Sequence, residues 1–434
     1  MKNKILTLFV FALTYTVTAQ TTSITKEDVL AKVKQNNTTL KIADQKVLMA
    51  KGDYHQTNAV LLPNLKVSHT GMVTNNPLMA FGSKLNQEIL SASDFNPALL
   101  NDPDQVQNFA TKIEVQQPLL NFDGLYQRKA AKLKWDATQL QANRTQDYML
   151  LEVDKAYMQL QLAYKAVAVL EQAEKTALEN KRLATNAFKQ GYLQKADVLA
   201  VDVRVLEIKN QLQQAKSNIA NASNYLSVLM NEQPDTVLKP TDELVPEMTT
   251  IKEPNVPENR ADLQAMSLAT DAYHKMYKAD KMAFLPRLNA FGSYELYDDH
   301  IFQGNANGYL VGAQLSWNIL EGTKRFGKKA KSKAEYDKSV LEKEQYLANS
   351  QMELNKATRM LNDAENNLKL SDLALSQSKE VLRTRTNRFQ QGLEKTTDLL
   401  MAETQYSQKQ LAYYATVFKH NYALAYVKFL MGAQ

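Results

Sequence analysis

The chain contains no cysteine. Disulfides, thiolate metal centres and lipid attachment at a mature N-terminal Cys are therefore excluded. Proline is withheld from two long tracts: none occurs from Leu119 to Gln233, and none from Arg287 onward. Glycine is also missing from Leu125 to Gln190, a span of 66 residues. With both helix breakers absent, the span 125–190 is free to be helical over a length that no compact domain needs. No glycine-rich phosphate loop occurs, so energy has to come from a partner. The five histidines (55, 69, 274, 300 and 420) are scattered, and none stands beside a carboxylate at a helical zinc spacing. No catalytic constellation emerges; neither enzyme activity nor a metal or other cofactor is expected. The formal charge of +6 comes from interspersed acids and bases. That is the pattern of solvated helix faces, and without a concentrated basic stripe nucleic acid is not an expected partner.

Residues 1–19 read as a secretory signal. Lys2 and Lys4 form the charged start, Ile5 to Val17 an apolar core, and Val17-Thr18-Ala19 a small-residue cleavage site. Beyond that segment no apolar run reaches the length of a membrane-spanning helix.

What is present is heptad order and duplication. Val198, Val205, Leu212, Ile219 and Leu226 recur every seven residues, and Val201, Ile208, Ala215, Ala222 and Leu229 follow three places along. Two such stripes make a coiled-coil seam. In a second long tract Val340, Leu347, Leu354, Leu361, Leu368, Leu375, Leu382 and Phe389 keep the same spacing. Ala357, Ala364, Ser371 and Ser378 alternate with them, which allows close helix approach. Phe188, Gly191, Asp197, Leu199, Tyr225 and Leu229 reappear 201 positions later as Phe389, Gly392, Asp398, Leu400, Tyr426 and Leu430. The chain is an internal duplication.

The expected organisation is repeat 1 over 20–231, a proline-rich connector over 232–258, and repeat 2 over 259–434. Repeat 1 holds a short helix, a β-hairpin at about 64–117, a long helix 125–190 and a return helix 195–231. Repeat 2 holds a short helix, a hairpin at about 287–319, a long helix 323–391 and a return helix 396–431. Thr25-Lys26-Glu27-Asp28 reads as a capped start of the first short helix, which runs through Val29, Val33, Leu40 and Val47 toward Leu62. The strands alternate with period two: Tyr309, Val311, Ala313, Leu315 and Trp317 oppose Gly312, Gln314 and Ser316. Such strands suit either a soluble hairpin packed on a core or a membrane barrel with an apolar outer face. In lipid four strands cannot stand alone, because open edges are not tolerated; two copies would give eight strands and three would give twelve.

Helix, strand hairpin, long helix, glycine turn and return helix, twice over behind a signal, resembles the TolC family of outer-membrane channel-tunnels. The signatures are Phe188-Lys189-Gln190-Gly191 with Asp197-Val198-Leu199, and Arg388-Phe389-Gln390-Gln391-Gly392 with Asp398-Leu399-Leu400. Gln117-Pro118-Leu119-Leu120 and Asn318-Ile319-Leu320-Glu321-Gly322 resemble the family's strand-to-helix junctions. The resemblance implies a mainly α fold with a membrane β-barrel part. It implies a homotrimer with a twelve-stranded barrel in outer-membrane lipid and a twelve-helix α-barrel tunnel through the periplasm. As partners it implies a periplasmic adaptor (membrane fusion) protein and an inner-membrane transporter, in a tripartite efflux pump or a type I secretion system. The hairpin tips Gly191, Tyr192, Leu193, Gly392 and Leu393 are then candidates for adaptor docking. Asp398 is the candidate aperture residue, with Thr396 or Thr397 as a cap for its helix and Arg388 or Lys395 as ion-pair partners. Val311, Ala313, Leu315 and Trp317 are candidates for the lipid-facing side of a strand. A periplasmic coiled-coil adaptor or scaffold without a barrel is the rival; the amphipathic strands and the second hairpin argue against it.

Overall fold

A computed structural model describes residues 21–234, 236–249, 251 and 254–432; the expected signal segment lies outside the described residues. In chain order the elements are β1 Thr21–Ile24, α1 Lys26–Asn36, α2 Thr38–Gln56, β2 Asn64–Thr74, α3 Pro77–Asn86, α4 Pro97–Asn101, β3 Val106–Leu120, α5 Phe122–Lys189, α6 Lys195–Leu229, β4 Val237–Pro240, α7 Ala261–Met282, β5 Arg287–Asp298, β6 Ala306–Ser316, α8 Lys324–Gln390 and α9 Thr396–Leu430. The fold is predominantly helical, and the residues divide into two compact units. One comprises the chain up to Ala43, Ala142–Ala261 and the chain from Ala348; the other comprises Asp44–Gln141 and Asp262–Leu347.

The first unit holds two helical hairpins, formed by α5 from Ala142 with α6 and by α8 from Ala348 with α9. Helix α5 has 68 residues and α8 has 67, each followed by a 35-residue return helix. At 1.5 Å per residue α5 is about 100 Å long. Val153, Leu160 and Val167 of α5 meet Leu212, Ile219 and Leu226 of α6, with Val29 and Val33 of α1 in the same core. Leu354, Ala357, Leu361 and Ala364 of α8 are buried, as their bulky-plus-small spacing requires. Truncating a fully buried leucine such as Leu226 to Ala costs about 2–5 kcal/mol.

Two features of this unit depart from the sequence expectation. The pattern from Val29 toward Leu62 is broken at Asn37, whose Oδ1 accepts from the backbone of Thr39 and Leu40 at 2.8 and 3.2 Å. Its Nδ2 donates to the Leu229 carbonyl at 2.8 Å, so one side chain starts α2 and anchors the end of α6. The connector, while not helical, supplies β4, which pairs in parallel with β1 from Thr21↔Val237 to Ile24↔Pro240. The expected cap of α1 is present: the Thr25 hydroxyl accepts from the Asp28 N–H at 3.0 Å, and Asp28 accepts from the Thr25 N–H at 3.3 Å.

The second unit is built on one antiparallel sheet of order β2-β3-β5-β6. The two hairpins join through β3 and β5, with Ile113 opposite Tyr294. At the sheet's base the Arg287 guanidinium holds Asp123, at the start of α5, through two bonds of 3.2 and 2.5 Å. Helices of this unit pack through Tyr54 stacked on Trp135 at 5.7 Å and through Lys328 on the buried Asp280 at 2.9 Å. The loop from Asn75 contains α3 and α4, each begun by an Asn-Pro pair. Asn76 caps α3 and Asn96 caps α4, and proline is favourable in a first helical turn. Among the described residues no helix is long and apolar enough to cross a membrane.

Candidate functional site

The register sorts the four strands into two chemically unlike faces. On one side Leu65 and Val67 of β2 oppose Val115 and Ile113 of β3. These continue to Gly292 and Tyr294 of β5, and then to Val311 and Tyr309 of β6. Leu288 with Leu315 and Ala290 with Ala313 complete this face. Over β6 this face is open: Val311 is 75% exposed, and Ala313 and Leu315 are exposed as well, whereas toward the loops His69 bonds Thr111 at 2.8 Å and lies under Phe302 at 4.4 Å. Trp317 is exposed too, but it stands just beyond the end of β6, with its indole N–H donating to the Phe284 carbonyl at 2.9 Å. On the other side Lys112 bridges Glu114 at 2.8 Å and Glu295 at 3.0 Å, among Ser68, Ser293, Asn289 and Gln314. One face is suited to hydrocarbon and the other to water. Both outer strands, β2 and β6, have one edge unpaired by any described strand.

Both helical hairpins turn by the same device. Gly191 and Gly392 take left-handed φ values of 81° and 74°, where a side chain would be strained. In each turn two backbone bonds close the helix end: Gly191 N–H to Phe188 and Tyr192 N–H to Ala187, then Gly392 N–H to Phe389 and Leu393 N–H to Arg388. The side chains then diverge. At the first tip Tyr192 is 80% exposed and Leu193 half-buried; at the second Leu393 is 63% exposed.

The acids after the turns diverge further. Asp197 accepts from the Gln194 N–H at 3.1 Å and closes the start of α6. Asp398 has no such cap around it. The residue at the start of α9 is Lys395, and neither Thr396 nor Thr397 caps the helix, because the Thr396 side chain is turned into the protein and buried. Asp398 instead stands 3.8 Å from Arg385. Arg385 also pairs with Glu394, and Arg388 reaches Glu394 at 2.9 Å. Burial opposes ionisation of Glu394, but hydrogen bonds from Arg388 and Arg385 outweigh it and hold its carboxyl below the usual range. Arg388 thus pairs with Glu394 and not with Asp398, no ion pair of Lys395 occurs among the described residues, and the neighbour of Asp398 is Arg385, which the sequence reading does not single out. The signal for it was available, since Arg385 and Arg388 are one helical turn apart just ahead of Gly392.

A further polar contact lies between the hairpins of the first unit. Glu403 of α9 is 1% exposed and accepts from Asn180 of α5 at 2.9 Å. Burial raises its pKa, with Asn180 and the charge of Arg204 acting the other way. At the turn after β5, Asp298, Asp299 and His300 draw their ligand atoms within 4.8 Å of one another. The Asp298 carboxylate is occupied by the backbone N–H groups of His300 and Asn305, at 3.1 and 3.2 Å, so its geometry is that of a loop brace. The tyrosines near the C-terminus form a packing ladder on α9, with Tyr422 and Tyr426 stacked at 6.0 Å and Tyr426 donating to Glu353 at 2.9 Å.

Paired long helical hairpins and a four-stranded sheet with one apolar and one charged face define an outer-membrane channel-tunnel, a helical tunnel with a small β part. The model of the family described as outer membrane efflux protein matches residues 29–232 and 255–427, and the chain belongs to that family. It is similar to the solved structure of CusC, with 15% identity, 94% of this chain and 92% of that chain covered and a TM-score of 0.81. It is also similar to the Campylobacter jejuni CmeC outer membrane channel, with 16% identity, coverage of 94% and 85% and a TM-score of 0.79. VceC of Vibrio cholerae matches with 17% identity, coverage of 94% and 96% and a TM-score of 0.77. No curated protein matches the chain. The protein is an outer-membrane efflux channel extending into the periplasm, and the adaptor or scaffold alternative is set aside.

Proposed function

We propose that three copies of this chain close a shared twelve-stranded barrel and a twelve-helix tunnel. The resulting homotrimer is a passive exit duct without enzymatic activity. The observation that carries the reading is the four-stranded sheet, with an exposed apolar face from Leu65 and Val67 to Val311 and Leu315 and two outer edges unpaired by any described strand. In hydrocarbon each edge leaves backbone groups unsatisfied, at several kcal/mol apiece, and closure with other copies removes them. The repeats span 20–231 and 259–434, joined by the connector 232–258. Val311, Ala313, Leu315 and Trp317 face outer-membrane lipid. Gly191, Tyr192, Leu193, Gly392 and Leu393 dock a periplasmic adaptor, through which an inner-membrane transporter delivers cargo for efflux or type I secretion. Asp398 lines the periplasmic aperture beside Arg385. Native mass spectrometry of the detergent-solubilised protein is expected to give a trimer; a stable monomer would overturn this reading.

A further inference from the structure

Helix α3 carries two unlike faces. Ala80, Ser83 and, just past its end, Gln87 are buried where α3 packs on β3 and β6. Val106, Asn108 and Ala306 on those strands are buried as well. The register assigns all three to the charged side of the sheet. Val106 and Asn108 share a face of β3 with Lys112 and Glu114, and Ala306 stands opposite Tyr297, on the face of Glu295. Helix α3 therefore folds over the polar side, away from the apolar one.

It is held there firmly. The Gln87 amide donates to the Gln107 carbonyl at 2.8 Å, to Asn108 Oδ1 at 2.9 Å and to the Asp298 carbonyl at 3.1 Å, spanning β3 and β5. Lys84 bridges Asp94 at 2.8 Å, and Phe81 meets Phe95 edge-on at 5.7 Å. Hydrogen bonds from Lys84 and Ser91 bring the Asp94 carboxyl down to about 2, so this brace is fully charged at neutral pH. The opposite face of α3 is apolar and bare. Leu78, Gly82 and Leu85 follow one another at helical spacing; Leu78 is 82% and Leu85 55% exposed, and open space lies over Gly82.

We propose that α3 is a lid across the extracellular mouth of the channel, its Leu78–Leu85 stripe docking on the same stripe of the neighbouring copies. This rests on the three-copy barrel of the preceding reading. The polar face of a closed sheet is its interior, so a helix seated there is walled off from lipid. Its bare stripe then meets the α3 helices of the other copies at the same level. Continuity with the copy-to-copy interface points the same way: α3 follows directly on the edge strand β2 and reaches across to the other edge strand, β6. An apolar ring at this level restricts passage of water and ions until cargo parts it.

The absence of cysteine makes the test clean. Leu85→Cys, and separately Leu78→Cys, are placed in the full chain in lipid vesicles and treated with a short bis-maleimide. Native mass spectrometry of the same preparation reports the assembly. Trimers with cross-linked pairs are expected. Intact trimers without cross-links, or labelling of the introduced thiol by a lipid-phase maleimide, would overturn the lid. Loss of trimers would overturn the assembly and the lid with it. In planar bilayers the double variant Leu78→Ser, Leu85→Ser is expected to raise single-channel conductance severalfold, and unchanged conductance overturns the constriction.

Discussion

Placing arginine on the apolar face of β6 gives a graded test of the membrane reading. The strand has 11 residues, with Val311 at its midpoint. At about 3.4 Å per residue and about 40° of tilt, each residue climbs roughly 2.6 Å along the membrane normal. The strand thus spans about the 25 Å height of a barrel's apolar band, with Val311 at the midplane and Leu315 about 10 Å from it. Arginine costs about 2–4 kcal/mol at the midplane and about 0–1 kcal/mol near an interface. Three copies bring the Val311→Arg penalty to about 6–12 kcal/mol per assembly, comparable with the whole stability of an ordinary domain. Val311→Arg is expected to abolish folding from urea into lipid vesicles, read as loss of the folded band in unheated gels. Leu315→Arg should fold with a small deficit. Gln314→Arg, next in sequence but on the polar face, should fold as the parent does. If Val311→Arg folds as well as Gln314→Arg, the assignment of faces is wrong.

Asp398→Asn is expected to weaken cation preference in planar bilayers, whereas Asp197→Asn, which removes only a helix cap, leaves it unchanged; equal effects would return Asp398 to a helix-end role. Arg385→Ala should shift selectivity the other way, because it frees the Asp398 charge from its neighbour. Glu403 has its folded pKa raised, so its charged form destabilises the fold, and stability falls as pH rises through that raised value. Glu403→Gln should flatten the decline and stabilise at neutral pH, as measured by thermal unfolding at pH 5 and pH 8; a less stable variant at pH 8 would show that the carboxylate itself is needed.

The helical frame was legible because heptads at Val198–Leu226 and Val340–Phe389 extend much further than any alternative use of such spacing. The strands were legible for a related reason, since a period of two with one face left apolar has few outlets. What escaped were effects of single side chains on distant backbone. Asn37, which divides one helical pattern in two through its own cap, also bonds Leu229, 192 residues away, and no local propensity records that partner. The helices in the loop after Asn75 begin at Asn-Pro pairs, 76–77 and 96–97, which are helix starts as readily as breaks. At the second tip the pairing of Asp398 with Arg385, and of Glu394 with Arg385 and Arg388, is not legible in sequence, because ion-pair choice across a turn depends on rotamers that spacing does not dictate.

The small β1–β4 ladder has a consequence for how the molecule comes into being. Thr21 finds Val237, so β1 at the leading end of the described chain has no strand partner until more than two hundred further residues have been delivered. During vectorial export this strand arrives early and waits, its backbone unpaired, while β2, β3 and the whole first helical hairpin follow. Such a late, long-range closure is slow compared with helix formation. It makes completion of the first half contingent on the connector.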